Sequence, residues 1–135
     1  MPNTKATGVA YADPLFTTCY ASEEIGYGAD AQGTVTQLTD KSTAVTLNKS
    51  AGRITMASAA LSGNAAINFT LNNSLISSND TIIVNVSGGA ATAGSYTAYV
   101  STLTAGAATL SLRNMTGGSL SEAVILNFAI IHGAS

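Results

Sequence analysis

Residues capable of chemistry are few in this chain. His132 is the single histidine and Cys19 the single cysteine, so no zinc site of ordinary ligand type can be built within one subunit. His132 closes the last strong apolar stretch, two positions after Ile130, and the sequence suggests no partner for it. It reads as a partly exposed strand-end residue rather than a general base. Gly117-Gly-Ser-Leu-Ser121 lacks the second glycine of a nucleophile elbow. The run Gly88-Gly-Ala-Ala-Thr-Ala-Gly94 lacks the Lys-Ser/Thr ending of a phosphate loop, and both read as turns. Glu23 and Glu24 are sequence neighbours with no evident apolar pocket to raise either pKa, which does not suit glycoside cleavage by paired carboxylates. Arg53 and Arg113 each stand beside apolar strand residues and read as charges whose stems cover hydrophobic surface. The expectation is a protein that is not an enzyme, with no catalytic residue, cofactor or metal. A symmetry axis could gather three copies of His132 or of an acid, but nothing in the sequence demands it.

The composition agrees with that poverty. Of 135 residues only 9% are charged against 46% hydrophobic, and Ser, Thr, Asn and Gly supply the polar remainder. This is the make-up of many short strands joined by tight turns, in one domain long enough to bury a core without staples. A net charge of -2, with five scattered cations, offers nucleic acid no electrostatic footprint. With one cysteine there is no intramolecular disulfide. The start lacks the basic-then-apolar order of a signal peptide, and the longest apolar run is interrupted by Asn127 and too short to span a bilayer. The expectation is a protein made and kept in a cytoplasm, or in something assembled there, without membrane contact. Asn-x-Ser/Thr triplets such as Asn68-Phe-Thr70 follow from composition and carry no weight without an export signal.

The elements that must position any site are strands. In Ser121-Glu-Ala-Val-Ile-Leu-Asn-Phe-Ala-Ile-Ile-His-Gly133 the two alternating sets are Val124, Leu126, Phe128, Ile130 and Ala123, Ile125, Asn127, Ala129, Ile131. Both faces are largely apolar, which predicts a central strand with a second sheet on one side and an arm, a helix or another subunit on the other. Alternation and turn residues predict further strands over 34–38, 44–47, 53–56, 66–71, 81–87, 95–104 and 107–113, with the last over 122–132. The crossing 72–80 is irregular, with Leu75 and Ile76 expected to point inward. Of the strand aromatics Phe69, Tyr96, Tyr99 and Phe128, two are expected in the core. About eight strands and no helix predict an all-β fold, an antiparallel β-sandwich of jelly-roll type, over residues 33–135. Residues 1–32 have a different texture, holding both prolines and Tyr11, Phe16, Tyr20 and Tyr27 among most of the acids, with no sustained period. They read as an N-terminal arm that orders by packing on another surface, or as an edge strand of its own domain.

From Gly33 onward the text resembles a known module. The segments Gly33-Thr-Val-Thr-Gln-Leu-Thr-Asp-Lys-Ser-Thr-Ala-Val-Thr-Leu-Asn48, Gly52-Arg-Ile-Thr-Met56, Phe69-Thr-Leu-Asn-Asn-Ser74, Leu112-Arg-Asn-Met-Thr-Gly-Gly-Ser-Leu-Ser-Glu-Ala123 and Leu126-Asn-Phe-Ala-Ile-Ile131 together resemble a structural module of tailed-bacteriophage virions. It is found in capsid decoration, or cement, proteins and in tail-fibre-type proteins. The resemblance implies a jelly-roll sandwich that oligomerises and binds a formed lattice without chemistry. If Met1 is the true start, one short arm and one domain fit a head decoration protein better than a fibre. The implied partners are the major capsid protein and further copies of the chain, a trimer or alternatively a dimer. The implied place is the outer surface of the capsid, after synthesis in the bacterial host cytoplasm. Candidate interaction residues for capsid or oligomer are Tyr11, Phe16, Tyr20 and Tyr27 of the arm and Ile125 and Ile131 of the last strand. The alternative is a tail-fibre module that binds a receptor or carbohydrate; the absence of Trp leaves little stacking surface for a glycan.

Overall fold

A computed structural model describes residues 15–133. Its strands are β1 (Gln32–Thr36), β2 (Val45–Thr46), β3 (Ala51–Thr55), β4 (Ala66–Asn72), β5 (Thr81–Gly88), β6 (Tyr96–Thr104), β7 (Ala107–Asn114) and β8 (Ile125–Ile131). Among the described residues the only helical element is a 3-10 turn at Ala29–Ala31. Each strand falls where alternation places one. The last begins later than expected, although Val124 still accepts the Met56 N–H on its carbonyl at 2.8 Å. The turns use the chemistry their residues offer: Asp40 folds its carboxylate back to accept the Ser42 N–H at 2.8 Å. Between β6 and β7 the chain reverses through Gly106 at φ +82°, a conformation that glycine adopts without the Cβ penalty.

The strands form two four-stranded sheets, β1-β3-β8-β5 and β2-β4-β7-β6. The chain changes sheet at every connection except the β6–β7 hairpin. Where the chain crosses over and back to lie beside the strand it left, the two strands run in the same direction. Hence β1 pairs β3 in parallel and β2 pairs β4 in parallel, while the remaining pairings are antiparallel. The expectation of purely antiparallel sheets is corrected to two mixed ones. β8 is central, between β3 and β5, as its two apolar faces required.

One core cluster draws on both sheets. Ile54, Leu126, Phe128 and Ile130 come from the first, and Phe69, Leu71, Leu110 and Leu112 from the second. Each such side chain removed from water contributes roughly 1.5–3 kcal/mol. Three of the four strand aromatics are buried, Phe69, Tyr96 and Phe128, rather than two. In the irregular crossing Ile76 is buried but Leu75 is exposed, because the turn there is held by Asn73, whose carboxamide oxygen takes the Leu75 N–H at 3.0 Å. Gly33 and Gly52 face each other across β1 and β3, and Leu47 packs directly on that pair. A Cβ at Gly52 would stand 2.6 Å from Leu47 Cδ2.

Candidate functional site

The candidate interaction residues fall in the arm and at the two ends of β8. Tyr11 lies outside the described residues. Phe16 and Tyr20 are exposed, at 64% and 92%, as are Leu15 at 100% and Ile25 at 88%. Tyr27 is anchored: its hydroxyl donates to the Ile130 carbonyl, and its own carbonyl accepts from Gln32 Nε2 at 3.0 Å. Lys49 adds a bond from Nζ to the Asp30 carbonyl at 2.8 Å. The root of the arm is thus pinned beside the C-terminal end of β8, while its large apolar side chains stand in solvent. Ile125 and Ile131 share the outer face of β8 but lie about 20 Å apart at its two ends, at about 3.3 Å per residue, and only Ile131 is near the arm root.

The outer face of the first sheet is part polar and part apolar. Ala51, Ala129 and Ile83 are in register across β3, β8 and β5, with Ile131 diagonal to Ile83. The next row is Arg53, Asn127 and Asn85, where Ser87 Oγ donates to Asn127 Oδ1 at 3.0 Å. A shallow depression of about 510 Å³ opens between β1, β3 and β8, lined in part by Gln32, Thr34, Arg53 and Asn127. The outer face of the second sheet differs in kind. There Ser111, fully buried, donates to Asn68 Oδ1 at 2.7 Å and shares a hydroxyl contact with Ser101. Thr102 donates to Thr109 at 2.8 Å.

Two polar clusters that the sequence did not reveal close the ends of the sheets. In the first, Lys41 is buried and donates from Nζ to the carbonyls of Ala57 at 2.5 Å and Glu122 at 2.6 Å. Burial lowers its pKa, and the Glu122 charge partly restores it. The Glu122 carboxylate accepts the Tyr96 hydroxyl and, at 3.2 Å, the Ala91 N–H. The Tyr96 bond chiefly holds Glu122 below its ordinary value. Tyr96 is pushed up to about 12, by burial first and by Glu122 second. A general acid or base is tuned toward neutrality; Glu122 and Tyr96 are driven away from it, and Lys41, shifted toward it, spends its Nζ on two backbone carbonyls. The cluster fastens loops.

At the other end Asp80 accepts the Ser77 N–H and hydroxyl, both at 2.8 Å, and the Gly133 N–H at 3.0 Å. His132 Nδ1 lies 3.2 Å from its carboxylate. His132 is half-exposed as expected, but it has the partner that the sequence did not suggest, because Asp80 is 52 positions away. The Ser77 hydroxyl is spent on Asp80 rather than turned to the imidazole, so the trio is not arranged as nucleophile, base and orienter. Arg53 and Arg113 are exposed. Among the described residues no group of three or more His, Cys, Asp or Glu could hold a metal ion. No family model, curated protein or solved structure matches the chain.

Proposed function

We propose that the chain is a capsid decoration protein of a tailed phage, a homo-oligomer that binds the outside of the assembled head and bridges neighbouring capsid subunits without catalysing a reaction. The carrying observation is the arm: Leu15, Phe16, Tyr20 and Ile25 stand in solvent on a segment whose root is fixed to the body. Large apolar side chains exposed in succession along one segment suit an interaction surface, and aromatic anchors are where interface truncation costs most. The strand order supports the finer jelly-roll reading, since β3 and β4 flank β8 and β7 on one side and β5 and β6 flank them on the other. Many modest contacts repeated by symmetry would supply the affinity.

The test compares the full chain with one beginning at Gly33 on undecorated capsids. The shortened chain is expected to fold, because every turn between strands and nearly all of β1 are kept, and to bind far more weakly. Unchanged affinity removes the arm from the interface. For the proposed trimer, light scattering coupled to size exclusion at micromolar concentration should give three times the chain mass, and a concentration-independent monomer sinks it. A second reading, a receptor-binding module of a tail appendage, is favoured by one feature, Tyr99 half-exposed beside the hydroxyl rows of the second sheet. Saturable binding of a host-surface glycan, lost in Tyr99→Ala, would select that reading.

A further inference from the structure

We propose that residues 15–25 of the arm seat on the outer face of the β1-β3-β8-β5 sheet of a second copy of the chain. This deepens the oligomeric reading above and rests on it, but it needs no capsid. The receiving face presents the apolar row Ala51, Ala129 and Ile83, with Ile83 and Ile131 more than half exposed. Its depression lies beside that row and can accept an aromatic ring. The arm supplies the complement in Leu15, Phe16, Tyr20 and Ile25.

Three observations choose this occupant. The arm's own side chains are exposed even though Tyr27 ties its root beside this same face, so the arm passes its own sheet without lying on it. Its reach is ample: residues 15–25 extended span about 36 Å at about 3.3 Å per residue, whereas a four-stranded sheet is only about 15 Å wide. Charge agrees as well, since Glu24 lies between Tyr20 and Ile25 in the arm and Arg53 is the cation in the middle of the face. Such a pair sets register and partner choice, and a like charge in place of Arg53 would repel the arm. The second sheet is the poorer seat. Its hydroxyls already bond one another through Asn68, Ser111 and Ser101 and through Thr102 and Thr109, and an apolar arm would cover them without replacing those bonds.

The natural cysteine makes the proposal testable, because Cys19 lies in the arm and is exposed. Two chains are co-expressed, the natural one and one carrying both Cys19→Ser and Ile83→Cys, and oxidised without capsids. The expected product is a disulfide-linked heterodimer on a non-reducing gel. It should form about a hundredfold faster than with Cys19→Ser and Thr102→Cys on the opposite sheet, because a seated arm holds Cys19 at high effective concentration. Equal rates at the two faces overturn the proposal. So does an intramolecular disulfide, without cross-linked copies, in a single chain carrying Ile83→Cys with natural Cys19. Independently, Arg53→Glu should lower the mass seen by light scattering, and an unchanged mass with no cross-link also overturns it. A chain that cross-links between copies yet leaves capsids bare keeps this inference and removes the decoration reading.

Discussion

On the inner side of β8, Leu126, Phe128 and Ile130, with Val124 just before them, are almost wholly removed from water. On the outer side Ile125, Asn127 and Ala129 are half-buried and Ile131 is exposed. Both sets are largely apolar and sit on one backbone, the outer one differing by Asn127 and the small Ala129, and what lies opposite each face decides which is covered. The inner set meets the second sheet, and the outer set meets no third layer among the described residues. An apolar alternate set therefore placed the strand centrally in its sheet, but could not say that both faces would be covered within one chain.

The largest effect should come from breaking the covered side. Phe128→Ala removes a ring from the shared core and should cost on the order of 3 to 5 kcal/mol, read as a lower urea midpoint. A small shift would show that the two faces of β8 are less different than their burial. Next comes a polar group that is buried although it faces outward. Ser111→Ala takes away the acceptor of the Ser101 contact and the donor to Asn68 and should cost about 1 kcal/mol, since both former partners can turn to water.

A smaller and pH-dependent effect tests the latch at the end of β8. Asp80 is held down at about 2, mainly by the Ser77 N–H, then by the Ser77 hydroxyl, the Gly133 N–H and His132. Its unfolded value is about 3.9. The folded value is the lower one, so its stabilisation is complete above about pH 4 and is lost as pH falls from there toward 2. Glu122, also depressed, acts in the same direction. Urea midpoints should fall on acidification through this window, and less steeply in Asp80→Asn. Identical slopes would mean the latch does not couple proton binding to folding.

Much of the fold was legible because its determinants are local. Alternation marks each strand, and Gly, Asn, Asp and Ser mark each turn. The partition into sheets was not, because nothing in 32–36 or 45–46 encodes that the partners run parallel; that follows from a chain that changes sheets. Lys41 sits in a run of turn-type residues, Thr39-Asp40-Lys41-Ser42, that carries no sign of burial, and the structure turns it inward to carbonyls 16 and 81 positions away. The Asp80–His132 pair was hidden for the same reason. For the proposed surface, residue types singled out Tyr27 and Ile131, while the neighbouring Ile83 was missed because it stands alone among Thr81, Asn85 and Ser87 in the outward set of its strand.

The smallest expected effect on folding bears most directly on the outer face. Ile131→Thr changes a side chain that is more than half exposed, at the last position of β8 and opposite Thr81. A β-branched replacement keeps the strand preference, and little apolar area leaves water in either state, so the isolated chain should lose less than about 0.5 kcal/mol. If the face is an interface, the same change removes apolar area that water would otherwise leave on association. Self-association should then weaken while the low-concentration urea midpoint stays put. The two readouts separate the faces of β8: Phe128→Ala moves the midpoint, and Ile131→Thr moves the concentration at which copies dissociate. A loss of several kcal/mol from Ile131→Thr in dilute protein would mean the outer face is covered within a single chain, and the contrast drawn from β8 would fail.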